Sequence, residues 1–405
     1  MPLDVEATVH ALAWMLLGAA VLGMLAWRIR LPYAVALVLG GVIVEETHLL
    51  ILPQLEPRVL LFVFLPPLLF DAAFRLDATA LRSLARPVLL LALPGTVATA
   101  AIVGLVLVVA LHLPLAVALV FGSIVAATDP IAVVAVFRGL NAPNRLVVMI
   151  EGESLINDGV AITLYTLAVG LATAGSADVV GGISLFVRQI VGGVAIGVVL
   201  GFVVSRLTAV IDDHLIEMTL STALAYGSYL VAQSLDTSGA LACVAAGLLH
   251  GSYGRQVGMT ERTRRLLDDL WEYFGFLVNA LVFLLVGFSS SVANVAAAAG
   301  PVLVSIVAVL GSRVLVVLGP ALVLPRRLRG SSSGERHVLI WGGLRGALTI
   351  TLALALPPEV ADRQLLIAMA FGVGLFSLLI QGVTLSFVVQ HAGLAGQRTD
   401  IQPPW

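Results

Sequence analysis

The stretch EGESLINDGVAI, Glu151 to Ile162, sets Glu151, Glu153 and Asp158 beside Ser154 and Asn157 inside an otherwise apolar run. On a helix, Ser154 and Asp158 are four residues apart and share a face, with Glu151 a further turn back. Glu153 and Asn157, also four apart, form the neighbouring stripe. A carboxylate and a hydroxyl on one face are oxygen donors suited to a hard cation such as Na+. Desolvation disfavours the charged form of an acid. A partly hydrated aspartate at such depth is therefore poised to hold either a proton or a cation. It cannot comfortably be empty, nor hold both.

The other ionisable residues inside apolar runs are few: Asp71, Asp129, Arg188, Arg313 and Arg345. Each is costly at that depth unless paired or hydrated, so each is a functional candidate. Asp158 lies ~17 Å into its segment at 1.5 Å per residue, near the middle of a hydrocarbon core about 30 Å thick. Arg313 and Arg345 are similarly deep, and Asp129 adjoins Pro130, which cannot donate a helix hydrogen bond. Plainer roles compete with transport for most of them. Glu153 can be a transport ligand or half of a structural ion pair with Arg345 or Arg313. Asp129 and Asn157 can ligate a cation or satisfy backbone groups freed at a broken helix. Glu151 and Asp71, near segment ends, can line a hydrated funnel. Arg188 can snorkel, and Asn279 suits an interhelical hydrogen bond. The seven histidines fall at loops or segment ends. Asp158 alone has no evident structural purpose.

These residues are carried by a chain of 405 residues that is 60% hydrophobic and 11% charged, with a mean hydropathy of +1.06. That is a polytopic membrane protein, with little left for a soluble domain. The single Cys243 excludes an intrachain disulfide, and all 22 basic residues are arginines. The acidic start MPLDVE lacks the basic opening of a signal peptide, so the first run is expected to be a retained helix. Thirteen membrane helices are predicted, at 8–27, 31–45, 58–74, 87–111, 114–137, 147–172, 181–206, 214–235, 238–254, 272–290, 300–325, 337–356 and 363–391.

The odd-numbered connections and the tail hold nearly all the loop arginines, from Arg28 and Arg30 through Arg326, Arg327 and Arg329 to Arg398. The even-numbered ones hold only Arg58 and Arg363. The positive-inside rule then puts the N-terminus outside and the C-terminus in the cytoplasm. With an odd count, helices 1–6 and 8–13 have opposite topology, joined by helix 7, which is the inverted-repeat plan of many secondary transporters. That plan predicts interrupted helices at matching places. The fifth helix of the first half carries ATDPIA. Its counterpart, helix 12, carries WGGLRGAL. Elsewhere, Gly193, Gly197 and Gly201 fall on one face of helix 7 and allow a close neighbour. The charged stretch 259–276 reads as a cytoplasmic surface linker.

The segment ATDPIAVVAVFRGLNAPNRLVVMIEGESLINDGVAITLY, ending at Tyr165, closely resembles the core of the sodium/proton exchangers of the monovalent cation/proton antiporter superfamily. It is most similar to the electroneutral branch, which joins bacterial NhaP-type antiporters to animal exchangers. FLPPLLFDAAF, 64–74, and GGLRGALTI, 342–350, resemble family segments in the expected order. The resemblance implies an all-α antiporter fold of thirteen helices, homodimeric, with a six-helix core moving against a dimerisation domain. It implies one transmembrane domain over 1–391 and a short tail over 392–405. It makes Asp158 the carrier of cation and proton, preceded by Asn157, with Thr128 and Asp129 in the unwound stretch of helix 5. Ser154 and the helix 3 acid Asp71 would complete the Na+ site. Glu153 would pair with Arg345, and Arg313 matches a second arginine found near that pair in some members. Helix 3 carries glutamate in some members, so Asp71 is a departure.

Electrogenic relatives carry two adjacent aspartates and a lysine on the partner helix. Here one acid is Asn157 and the partner is an arginine, which keeps its proton. One carboxylate trading one H+ for one monovalent cation predicts electroneutral 1:1 exchange. K+/H+ or Li+/H+ antiport through the same residues is the near alternative, and a cation channel a remoter one. A hydrolase built on Ser154 would need a base within reach and an oxyanion hole. The expectation is thus a multi-pass protein of the plasma (inner) membrane, serving pH homeostasis within its lipid bilayer. No catalytic residues, cofactor or nucleic-acid partner are expected; Na+ and H+ are its cargo.

Overall fold

The computed structural model describes residues 5–29, 33–47, 60–174, 179–288, 292–323 and 332–396, all helix and connections. Arg30, Arg58, Arg326, Arg327, Arg329 and Arg398, used above for orientation, and the tail beyond 396 lie outside the described residues.

Each predicted segment meets helix. We label them α1 (Val5–Ile29), α2 (Tyr33–Thr47), α3 (a π-turn Leu60–Phe64 running into Leu65–Arg75) and α4 (Ala85–Leu111, bent at Pro94). The fifth is two half-helices, α5a (Leu115–Ile124) and α5b (Ile131–Gly139). Then follow α6 (Asn144–Ala174), α7 (Val179–Thr208), α8 (His214–Ser234), α9 (Gly239–Leu249, continued by a π-turn to Gly254) and α10 (Glu261–Phe288). The remainder are α11 (Ala299–Val323), the half-helices α12a (Ser333–Trp341) and α12b (Ala347–Leu354), and α13 (Arg363–Phe376, a π-turn Ser377–Gly382, and Val383–His391).

Seven of the described helical spans are long and apolar enough to cross a membrane unaided. The half-helices are not. At 10 and 9 residues, α5a and α5b each cover only about half of a 30 Å core. Their exposed backbone ends are tolerable only because they are buried in protein.

Small residues set the helix spacing. A Cβ on Gly197 would run into the Ala242 carbonyl of α9, and one on Gly193 would lie 2.5 Å from the Ser238 carbonyl. Gly201 faces Ala246 at 3.1 Å. The glycine stripe of α7 therefore seats α9, as its spacing predicts. Gly197→Val must push α9 away. It is expected to destabilise the fold by roughly 2–3 kcal/mol, as overpacking does, read as an earlier melt of the detergent-purified protein.

The stretch 259–276 is no surface linker. From Glu261 onward it is the first half of α10, continuous with the membrane span. One face packs inward at helical spacing: Thr263, Leu267 and Trp271 are buried, and Trp271 Nε1 donates to Ser221 of α8 (3.3 Å). Charge at the exposed positions had masked that period.

Candidate functional site

Two broken helices meet at the centre of the protein, and charge explains how. Pro130 removes a backbone donor and disfavours helical geometry at Asp129, so α5 opens over 125–130. Gly342, Gly343 and Gly346 open α12. At Gly346 a Cβ would collide with the Asp129 carboxylate, and at Gly343 it would lie 2.6 Å from Arg313 Nε. These glycines leave room for charged side chains to reach the backbone.

Each exposed helix end receives the complementary charge. Asp129 accepts from the Ile131 N–H (3.0 Å) and the Ala347 N–H (3.3 Å), at the N-termini of α5b and α12b. Its own N–H donates to the Leu344 carbonyl (2.8 Å). Arg345 Nη1 donates to the carbonyls of Ala126 and Ala127 (both 2.8 Å), just past the C-terminus of α5a. Arg313 Nε donates to the Leu339 carbonyl (3.0 Å) in the last turn of α12a. An acid at N-termini and cations at C-termini match the helix dipoles and satisfy their unpaired groups. Asp129 thus stitches the two breaks together.

Helix α6 backs this crossing. Asn157 Nδ2 donates to Thr128 Oγ1 (2.6 Å), and the Thr128 N–H donates to Asn157 Oδ1 (3.4 Å). Thr128 Oγ1 also lies 2.9 Å from Ser154 Oγ. All three are buried. On the neighbouring stripe, Glu153 forms a two-pronged ion pair with Arg313: Nη1 and Nη2 reach Oε1 and Oε2, the second at 3.0 Å.

The pairing expected from the family resemblance, Glu153 with Arg345, is therefore corrected. The open carbonyls of α5 draw the Arg345 guanidinium to themselves, and Arg313 takes Glu153. Arg345 stays within electrostatic reach of Glu153 and Asp158.

Asp158 stands apart from this network. Its Oδ1 is buried with no hydrogen-bond partner among the described residues, while the side chain keeps some accessible surface. Asp129 and Arg345 are the charges within electrostatic reach of it. It is reachable and has no structural partner among the described residues, one turn from Ser154 on α6. No group of three or more His, Cys, Asp or Glu residues gathers into a metal cage among the described residues. A cation at Asp158 would draw on one carboxylate with hydroxyl and backbone oxygens.

Asp71 is not brought to this group. It lies beneath α10 against Gly275, paired with Arg75 one turn on (2.8 Å). Its charged neighbours, Arg75, Glu272 and Asp268, come from the ends of α3 and α10. An arginine at i+4 gives the acid a local counter-charge. Glu151 pairs with Arg138 (3.4 Å), and Arg188 faces Asp236 at 3.8 Å on the surface. Among the described residues Asn279 bonds within its own helix, to the Gly275 carbonyl (2.8 Å), and not between helices. His250, at the π-turn of α9, is wholly buried against Ser205 (3.0 Å).

Two residues escaped the sequence reading. Ser377 Oγ accepts the Arg345 N–H (3.0 Å) and donates to Gln381 (2.6 Å), whose Nε2 donates to the Trp341 carbonyl (3.1 Å). They sit in the π-turn of α13 and hold both edges of the α12 break. The available signal was a polar pair four residues apart in an otherwise apolar run.

Comparison with known proteins gives the same picture. The transmembrane sodium/hydrogen exchanger family matches residues 15–391. The chain is 38% identical over 385 residues to the Na(+)/H(+) antiporter ApNhaP of Aphanothece halophytica, covering 94% of this chain and 74% of that one. It is 37% identical over 377 residues to the Na(+)/H(+) antiporter NhaH of Halobacillus dabanensis, covering 90% and 92%. In fold it is similar to the sodium proton antiporter MjNhaP1 of Methanocaldococcus jannaschii, with a TM-score of 0.81 at 19% identity over 98% of this chain and 100% of the other. With the family spanning both broken helices and the α6 residues between them, the chain belongs to the sodium/hydrogen exchanger family.

Proposed function

We propose that the protein is a secondary active Na+/H+ antiporter, exchanging one Na+ for one H+ by alternating access. The observation that carries this reading is Asp158: an acid at mid-membrane depth, without a structural partner, beside two helix breaks whose own needs are met by other side chains. Glu153 is committed to Arg313, and Asp129 to backbone. One ionisable carboxylate remains to be shared competitively between proton and cation. With Arg345 permanently charged, the exchange moves no net charge.

In this reading Asp158 binds the cation with Ser154 and backbone or hydroxyl oxygen at Thr128, and Asn157 holds the unwound segment open. The Arg313–Glu153 pair fixes α6 to the second half. One transport domain over 1–391 works as a homodimer in the plasma membrane, with its N-terminus outside and the residues after 391 in the cytoplasm. The relatives named as Na(+)/H(+) antiporters support Na+ as the cation.

The test uses proteoliposomes with a trapped pH dye and a preset pH gradient. Added Na+ is expected to dissipate the gradient saturably, with a bell-shaped pH profile, equally with and without a voltage clamp. A response to K+ alone would reassign the cargo. A conductive, non-saturating response would mean a channel.

A further inference from the structure

Two complementary groups at the crossing of the broken helices are held apart. Arg345 Nε and Asp158 Oδ1 are both buried without a hydrogen-bond partner among the described residues. The two side chains lie within electrostatic reach of each other. Glu153, the other acid within reach of Arg345, has both oxygens on Arg313. A buried guanidinium and a buried carboxylate attract strongly where water cannot screen them. Arg345 must therefore be anchored against Asp158.

It is anchored at both ends. Nη1 donates to the carbonyls of Ala126 and Ala127 in the α5 break (both 2.8 Å), while the backbone N–H donates to Ser377 Oγ of α13 (3.0 Å). The second anchor is itself fixed. Ser377 has one hydroxyl proton, and it goes to Gln381 Oε1 (2.6 Å). Gln381 Nε2 in turn donates to the Trp341 carbonyl (3.1 Å), across the α12 break from Arg345. Ser377 and Gln381 are 0% and 2% exposed, so water does not stand in for either of them.

We propose that Ser377 and Gln381 are positioning residues that hold Arg345 off Asp158, so that the carrier acid stays open to its cation. Gly343 and Gly346 flank Arg345 closely, and a glycine backbone resists movement least. With the anchor on α13 released, the break slackens and the guanidinium moves onto the unpartnered carboxylate. There it competes with the cargo. The assignment rests on the antiport reading of Asp158 and adds two residues of α13 to it.

Three variants of α13, compared in proteoliposomes at fixed pH, test it. Ser377→Ala and Gln381→Leu are each expected to raise the apparent KM for Na+ about threefold to tenfold, the weight of one buried hydrogen bond. Their maximal rates should stay within about twofold of wild type. Thr384→Val is the control. It frees the Trp341 indole, whose Nε1 donates to Thr384 Oγ1 (2.9 Å), and leaves the chain to Arg345 intact. Its KM should equal that of wild type. A merely structural role would lower the maximal rate or the melting temperature and leave KM in place. Unchanged KM in Ser377→Ala and Gln381→Leu, or an equal rise in Thr384→Val, overturns the proposal. Should Ser377→Ala not fold, Gln381→Leu carries the test.

A second measurement needs no transport. A double-mutant cycle of Arg345→Gln with Asp158→Asn, read from melting in detergent, reports how strongly the two charges are coupled. The coupling is expected to grow in the Ser377→Ala background, because the pair then forms. Equal coupling in both backgrounds overturns the proposal. Wild type that moves no protons with Na+ or K+ would defeat the antiport reading instead, leaving this cycle to judge Ser377.

Discussion

Asp158→Asn is expected to reduce Na+-coupled proton movement to that of protein-free vesicles, a loss of about 100-fold or more, because the one carboxylate free to change hands is gone. The same substitution should leave the protein at least as stable as wild type. Asp158 Oδ1 has no hydrogen-bond partner among the described residues, so asparagine forfeits no bond there and removes the burden of a buried charge. Function lost with stability kept is the signature of a carrier. Asp158→Glu retains the charge but moves it by one methylene, and should keep partial exchange with a changed apparent affinity for Na+. The assay is the trapped-dye measurement alongside a melt in detergent. Full exchange in Asp158→Asn would remove Asp158 from the mechanism.

Five residues earlier on the same helix the opposite outcome is expected. Glu153 and Arg313 are 2% and 6% exposed and bind each other through two prongs. Glu153→Gln leaves a guanidinium buried with only the Leu339 carbonyl for company, and Arg313→Gln leaves a buried carboxylate. Each single change is expected to cost about 3–5 kcal/mol, the usual penalty for orphaning half of a buried pair. The double change Glu153→Gln with Arg313→Gln should recover much of that loss, since neither charge then remains. A double-mutant cycle on melting of the purified protein measures the coupling. Additive losses would show that the pair is not the energetic unit the geometry indicates. Arg345→Gln should couple chiefly to the α5 break, whose carbonyls it holds, and more weakly to Glu153, which it reaches only through its charge.

The contrast between Asp158 and Glu153 shows where sequence reading stops. Both are acids in one apolar helix, and spacing alone put them on adjacent stripes. Hydropathy was enough to place the helices, because apolar runs must match the bilayer whatever they pack against. Pro130 and the glycines around Arg345 were enough to place the two breaks, because a missing N–H and missing side chains act locally. Depth and residue type alone marked Asp158 as the unusual acid.

Partner choice was not legible, because it depends on which helix ends come together. Arg313 and Arg345 are the same residue type at similar depth, and either could have met Glu153. Only the crossing of α5 and α12 sends Arg345 to the carbonyls of Ala126 and Ala127 and leaves Glu153 to Arg313. Asp129 likewise reads as a ligand or as a cap until two helix N-termini are seen converging on it. Asp71 carries the right chemistry for the site, yet the local turn gives it to Arg75 and α10 covers it. The charged opening of α10 reads as surface until its buried threonine, leucine and tryptophan face are seen together. Helix positions and breaks follow from forces acting along the chain. Ion-pair partners and helix caps follow from where distant backbone groups are brought side by side, which only the tertiary structure decides.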